Sequence, residues 1–220
     1  MNFDAFIFDL DGTLLDTLPD LVRLTNMVLA ERGMPTRTRD EINSFVGSGG
    51  RVLLQRAAVA DASEADIDAL FARWRHLYRE HGHKYTAPYT GIPEALNVLK
   101  ARGAKLGVLS NKFDAAVKGV ISDHFPGVFD AVWGESPDVP RKPDPQGLLR
   151  MMSELGVAPE RVVYVGDSGT DMAVARAAGA VPVGVSWGYR SVADLQAAGA
   201  ACIVVHPAEL EALALSAKRD

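Results

Sequence analysis

Near the start of the chain, an apolar run ends in two aspartates: Phe6-Ile7-Phe8-Asp9-Leu10-Asp11-Gly12-Thr13. A short Phe/Ile-rich run bounded by Gly reads as a buried strand entering a turn. Side chains two apart on a strand point the same way, so Asp9 and Asp11 can face one site at its C-terminal end. Paired carboxylates repel unless a cation neutralises them or one keeps its proton. That cost suggests a hard metal ion and a division of labour, one carboxylate attacking and the other shuttling a proton. Taken alone, the segment suits a solvated Asp/Gly turn equally well.

Three other polar clusters accompany it. Leu106 to Leu109 leads into Ser110-Asn111-Lys112, and Val162 to Val165 into Gly166-Asp167-Ser168-Gly169-Thr170-Asp171. Arg141-Lys142-Pro143-Asp144-Pro145 precedes a helical pattern. Ligands of open α/β sheets bind outside the carboxyl ends of the strands. Carboxylates, hydroxyls, an amide and lysine gathered there suit a phosphate bound beside Mg²⁺.

The elements that must position these residues alternate. Strand patterns at 104–110, 129–133, 161–166, 181–185 and 201–205 are separated by helical patterns at 91–102, 144–155 and 171–178, with another helix from Ala193. Such alternation predicts an α/β fold, a doubly wound parallel sheet with helices on both faces. Residues 16–85 differ, showing helical patterns without a strand. Leu18, Leu21, Val22, Thr25, Val28 and Leu29 recur at helical spacing, and Ile67, Leu70, Phe71, Trp74, Leu77 and Tyr78 form an apolar stripe suited to packing. Thr38 to Glu41, Ser63 to Asp66 and Ser191 to Asp194 are capping boxes. The division expected is an α/β core of residues 1–15 and 86–220 carrying an inserted α-helical segment, 16–85.

Composition excludes several classes. The 220 residues are 48% hydrophobic and 23% charged, ordinary for a soluble globular protein, and long enough for one domain carrying a smaller insertion. A net charge of -5 without a Lys/Arg block argues against nucleic acid and anionic membranes as partners. No apolar run approaches the roughly 18 residues of a membrane span, and the first residues do not resemble a secretory signal, so a cytoplasmic protein is expected. The single Cys202, in an apolar stretch, reads as a buried core thiol in a reducing compartment. None of the five histidines requires a catalytic role. His76, His81 and His83 are too loosely spaced for a metal site and read as surface residues.

Taken together, the clusters resemble the haloacid dehalogenase superfamily, in its phosphatase branch. The D-x-D-G-T motif is met by Asp9 to Thr13, the Ser closing a strand by Ser110, the Lys of K-P-x-P by Lys142, and the acidic pair by Asp167 and Asp171. All four occur in order, and the resemblance spans essentially the whole chain. It implies a Rossmann-like core and a monoester hydrolase in which Asp9 attacks phosphorus to give an aspartyl-phosphate. The resemblance further implies that Asp11 serves as general acid and base, a residue dehalogenases generally lack. The resemblance also implies Mg²⁺ held by Asp9, Asp167 and the backbone carbonyl of Asp11, with Ser110, Lys142, Thr13 and Asn111 on the phosphoryl oxygens. Asp171 either orients Lys142 or ligates the metal.

Residues 16–85 resemble the family's cap. Within it, Val46-Gly47-Ser48-Gly49-Gly50-Arg51 is the candidate substrate contact: Gly47 and Gly50 permit close backbone approach and Arg51 could pair with an anion. The alternative is a Gly-rich helix connection with Arg51 in solvent. The loop, with Tyr89-Thr90-Gly91-Ile92-Pro93, Ser110-Asn111-Lys112 and the stretch through Ser186-Trp187-Gly188-Tyr189, resembles phosphoglycolate phosphatases, making 2-phosphoglycolate the first candidate among small phosphorylated metabolites. Sugar phosphates, nucleotides and pyrophosphate share much of the pattern. A phosphomutase of the β-phosphoglucomutase type and a non-catalytic phosphate-binding regulator remain alternatives, and the chain is expected as a monomer or homodimer. Calcium-loop, nucleotide-loop and trypsin-like readings of the Gly/Asp segments fail on spacing or fold.

Overall fold

The computed structural model describes residues 3–214. Its elements run β1 (Ala5–Phe8), β2 (Leu15–Asp16), α1 (Leu18–Glu31), α2 (Arg39–Phe45), α3 (Gly50–Ala57), α4 (Glu64–His81), β3 (Ala87–Pro88), α5 (Ile92–Ala101) and β4 (Lys105–Phe113). They continue as α6 (Asp114–His124), β5 (Ala131–Glu135), α7 (Gln146–Leu155), β6 (Val162–Gly166), α8 (Gly169–Ala177), β7 (Val181–Val185), α9 (Val192–Ala197), β8 (Cys202–Val204) and α10 (Leu210–Ala214). The chain divides into two compact units, Met1–Leu15 with Pro88–Asp220, and Asp16–Ala87.

The first unit is built on a six-stranded sheet of order β5-β4-β1-β6-β7-β8, parallel throughout. Central strands covered on both faces are apolar at every position, and β1 and β6 are buried along their whole length. Alternation then sorts their side chains. Phe6, Phe8, Val163 and Val165 join one core with Leu96, Leu99 and Val120, while Ala5, Ile7, Val162 and Tyr164 join the other with Leu148, Met151 and Val174. Each fully buried large apolar side chain contributes roughly 1.5–3 kcal/mol, and two such layers fix the register of β1 and β6. Register brings the ends of β1, β4 and β6 to one edge of the sheet, where the polar clusters begin.

The second unit is helical. α4 buries Ile67, Leu70, Trp74, Leu77 and Tyr78, with Phe71 half-buried. α1 buries Leu24 beside the expected positions, and Val22 is only half-buried. The capping boxes at Thr38, Ser63 and Ser191 are present, because a cap needs only residues three apart. Asp20, fully buried, accepts hydrogen bonds from the Tyr85 amide at 2.8 Å and the Thr86 hydroxyl at 3.0 Å, and pairs with Arg23 at 3.2 Å.

Several expectations need correction. The two-residue strands β2 and β3 form a separate sheet that hydrophobic patterning cannot reveal at that length. β4 runs past Ser110 to Phe113, with a register shift between Leu109 and Phe113, and β5 lies two residues later than its apolar run suggests. Cys202 is exposed, as the first residue of β8, the edge strand of the sheet, whose burial increases only toward Val204. No helix among the described residues is long and apolar enough to cross a membrane.

Candidate active site

β1 ends at Phe8, and the Asp9 amide continues the ladder by donating to the Val165 carbonyl at 2.9 Å. Asp9 is thereby held level with the end of β6, beyond which lie Asp167 and the start of α8. Its Oδ1 lies 2.9 Å from Lys142 Nζ. The same ammonium is 2.7 Å from Asp171 Oδ1 and donates to the Tyr164 hydroxyl at 2.9 Å. That hydroxyl donates in turn to the Leu109 carbonyl at 2.6 Å, tying the lysine to β4 and β6 together. Asn111 grips the backbone of Lys142 from both sides, its Oδ1 accepting from the Lys142 amide at 2.7 Å and its Nδ2 donating to the Lys142 carbonyl at 3.1 Å.

Asp171 is fully buried. Its Oδ2 accepts from the Ser168 amide at 2.9 Å and hydroxyl at 2.6 Å, closing a capping box on α8, while Oδ1 faces Lys142. Both of its oxygens are thus engaged by the protein. Asp167 is held differently: its Oδ2 accepts the Tyr189 amide at 2.7 Å. Gly12 and Gly188 press against it. A Cβ on Gly12 would fall 2.3 Å from Asp167 Oδ2, at a backbone φ of 82° that side-chain-bearing residues avoid. A Cβ on Gly188 would fall 2.2 Å from Asp167 Cβ. Trp187 Nε1 donates to the Thr13 carbonyl at 3.0 Å, pinning the loop after β7 to the loop after β1.

The electrostatics are those of surplus negative charge. Asp9, Asp167 and Asp171 are buried and offer oxygens all within 4.8 Å of one another, with Lys142 the ammonium between two of them. Burial, against the pull of Lys142 and with Asp171 and Asp11 adding to it, raises the Asp9 carboxyl to about 6. Burial, then Asp171 and Asp9, pushes Asp167 well above the usual carboxylate range. Burial disfavours the Lys142 ammonium, but Asp171 and Asp9 outweigh it and hold its pKa well above the ordinary value. Buried carboxylates in excess of their counter-charge fit a divalent cation.

Asp11 turns to a different lysine, lying 2.9 Å from Lys112 Nζ through Oδ1. Ser110 is buried within β4, at the start of its irregular stretch, its Oγ accepting the Lys112 amide at 3.3 Å. Thr13 is fully buried, and its hydroxyl has no hydrogen-bond partner among the described residues. Asp9, Asp11, Thr13, Ser110, Asn111, Lys142, Asp167 and Asp171 therefore all belong to one unit. Gly47, Gly50 and Arg51 belong to the other. There, Arg51 in the first turn of α3 pairs with Glu64 at 2.6 Å and Asp68 at 2.8 Å, and Gly50 packs against Trp74 and Phe71. Tyr164 escapes the motif reading, while Lys112 and the Trp187-Gly188-Tyr189 loop stand in it only as parts of longer stretches, with no role of their own. The one signal for Tyr164 is a polar-tipped residue in an otherwise aliphatic strand.

A family model described as haloacid dehalogenase-like hydrolase matches residues 6–185. The chain belongs to the haloacid dehalogenase-like hydrolase family, and it is a phosphoric monoester hydrolase of that family. It is 34% identical over 189 residues to the phosphoglycolate phosphatase of Pseudomonas putida, covering 83% of this chain and 69% of that one. It is also 34% identical over 212 residues to the N-acetylmuramic acid 6-phosphate phosphatase of Pseudomonas aeruginosa, covering 96% and 94% respectively. A provisionally named phosphoglycolate phosphatase from Lactobacillus delbrueckii subsp. bulgaricus superposes with a TM-score of 0.90 at 32% identity, covering 98% of this chain and 100% of that one.

Proposed function

We propose that this enzyme hydrolyses a small phosphate monoester by two successive transfers at Asp9, with 2-phosphoglycolate as the first candidate substrate. The observation that carries the reading is the buried Asp9 carboxylate at 2.9 Å from Lys142, beside Asp11 on its own lysine. In the first transfer Asp9 attacks phosphorus and the bond to the alcohol oxygen breaks. Asp11 gives that oxygen its proton. In the second, water attacks phosphorus and loses its proton to Asp11, and the electron pair of the broken bond returns to Asp9.

Lys142 neutralises charge on the transferring oxygens, with Ser110 and the otherwise unpartnered Thr13 hydroxyl as hydrogen-bond donors. Asn111 and Asp171 support the catalytic lysine from its backbone and its ammonium. Mg²⁺ held by Asp9, Asp167 and the Asp11 carbonyl would offset repulsion between nucleophile and phosphate.

Phosphoglycolate is supported by the names of several relatives. A second reading, N-acetylmuramic acid 6-phosphate, is supported by a relative matched over nearly its full length. Both are phosphate esters of carboxylic acids, which gives Arg51 a role as reader of the carboxylate. A substrate there must compete with Glu64 and Asp68. The test is phosphate release from both esters, sugar phosphates, nucleoside monophosphates and pyrophosphate, with Mg²⁺ and with EDTA. Metal-dependent preference for one acid ester supports the reading, and isomerisation without phosphate release overturns it. Asp9→Asn should lower turnover by about 10⁴-fold or more while the circular dichroism spectrum is kept.

A further inference from the structure

Lys112 is a buried lysine that no step above uses. Its side chain is 2% exposed, and Nζ lies 2.9 and 3.2 Å from the two oxygens of Asp11. Moving an ammonium out of water costs several kcal/mol unless an anion is fixed beside it. The backbone that carries it is equally constrained. Lys112 lies in the irregular stretch of β4, its amide donating to Ser110 Oγ, and a Cβ on Gly134 of β5 would fall 2.4 Å from the Lys112 carbonyl. A charge anchored this way and spanning both oxygens fixes the torsion of the Asp11 carboxylate as well as its position.

We propose that Lys112 is a positioning residue for the second half of the reaction, clamping the Asp11 carboxylate toward the attacking water. In that step an oxygen–phosphorus bond forms to water and the bond from phosphorus to Asp9 breaks, its electron pair returning to Asp9. The water proton passes to Asp11. An anionic, oriented Asp11 is the form from which this step starts. The first step starts from Asp11 carrying the proton, where the clamp contributes less. Loss of Lys112 should therefore slow breakdown of the aspartyl-phosphate more than its formation. The inference rests on the two-transfer reading above.

The test follows p-nitrophenyl phosphate in rapid-quench experiments on the full chain with Mg²⁺. For Lys112→Met, kcat should fall about 10- to 100-fold, less than the roughly 10²- to 10⁴-fold that a general base itself contributes, because Asp11 is still present. The kcat/KM value, which reports formation of the intermediate, should change much less, and nitrophenol should appear as a burst approaching one equivalent per site. Lys112→Arg should restore much of kcat. Adding Lys112→Met to Asp11→Asn should cost little further, since the clamp would have nothing to hold. Equal losses in kcat and kcat/KM without a burst, or a full additive loss in the double variant, would overturn the proposal. Should Lys112→Met not fold, the neutral Lys112→Gln carries the same comparison. Failure of the phosphatase reading shows separately, as wild-type protein without turnover or an active Asp9→Asn.

Discussion

Asp9 shares its buried surroundings with Asp167, Asp171 and Lys142, and its carboxyl is raised to about 6. A carboxylate raised above its ordinary value binds protons more tightly in the folded chain than in the unfolded one. Between about pH 4 and 6 its contribution to stability therefore falls as pH rises, the reverse of the usual surface carboxylate. Asp4, Glu41 and Asp194, whose values are lowered by their partners, work in the opposite sense. The comparison that isolates Asp9 is the wild type against Asp9→Asn in EDTA. The melting temperature of the variant relative to wild type should increase as pH rises from 4 to 7, because only the wild type acquires the buried charge. A difference that stays flat across this range would show that Asp9 ionises as a solvated carboxylate does. Mg²⁺ should raise the wild-type melting temperature at neutral pH.

Elements supply what the aspartates cannot supply for themselves. The loop after β7 gives Asp167 its amide donor from Tyr189 and leaves no free volume at Gly188. Gly188→Ala should displace Asp167, raising the Mg²⁺ concentration for half-maximal activity by about 10-fold or more, as supporting contacts around metal ligands do elsewhere. An unchanged Mg²⁺ titration would remove that loop from the metal site. In the helical unit, Asp20 serves two donors on the segment returning from α4 and the guanidinium of Arg23. Asp20→Ala should cost about 2 to 4 kcal/mol in urea denaturation, because those groups lose their acceptor.

For the molecule as a whole, the units divide the chemistry. The groups proposed to act on phosphate all lie on the α/β unit, while Arg51 lies on the helical one, already paired with two carboxylates. Arg51→Ala should therefore lower kcat/KM for phosphoglycolate or N-acetylmuramic acid 6-phosphate by about 10-fold or more, a typical cost of a lost charge-assisted pair, and leave neutral sugar phosphates nearly unchanged. Equal losses across the panel would remove Arg51 as reader of the acid.

The amino-acid sequence determined what depends on neighbours close along the chain. Alternation of strand and helix, the four motifs in order and the caps at Thr38, Ser63 and Ser191 are settled by residues a few positions apart, so they could be read directly. The tertiary structure decided what depends on residues brought together from far apart. Lys112 reaches Asp11 across 101 positions, and Tyr189 reaches Asp167 across 22. Ser168 to Asp171 shows both sides at once. Its spacing is that of a helix cap, yet only the fold reveals that Asp171 caps α8 with one oxygen and holds Lys142 with the other. Cys202 failed as a core residue for the same reason, since an apolar run carries no record of whether its strand has a neighbour. Local patterns fix which groups a chain can offer. Burial, pairing and the resulting pKa shifts arise only when β1, β4 and β6 end at one edge.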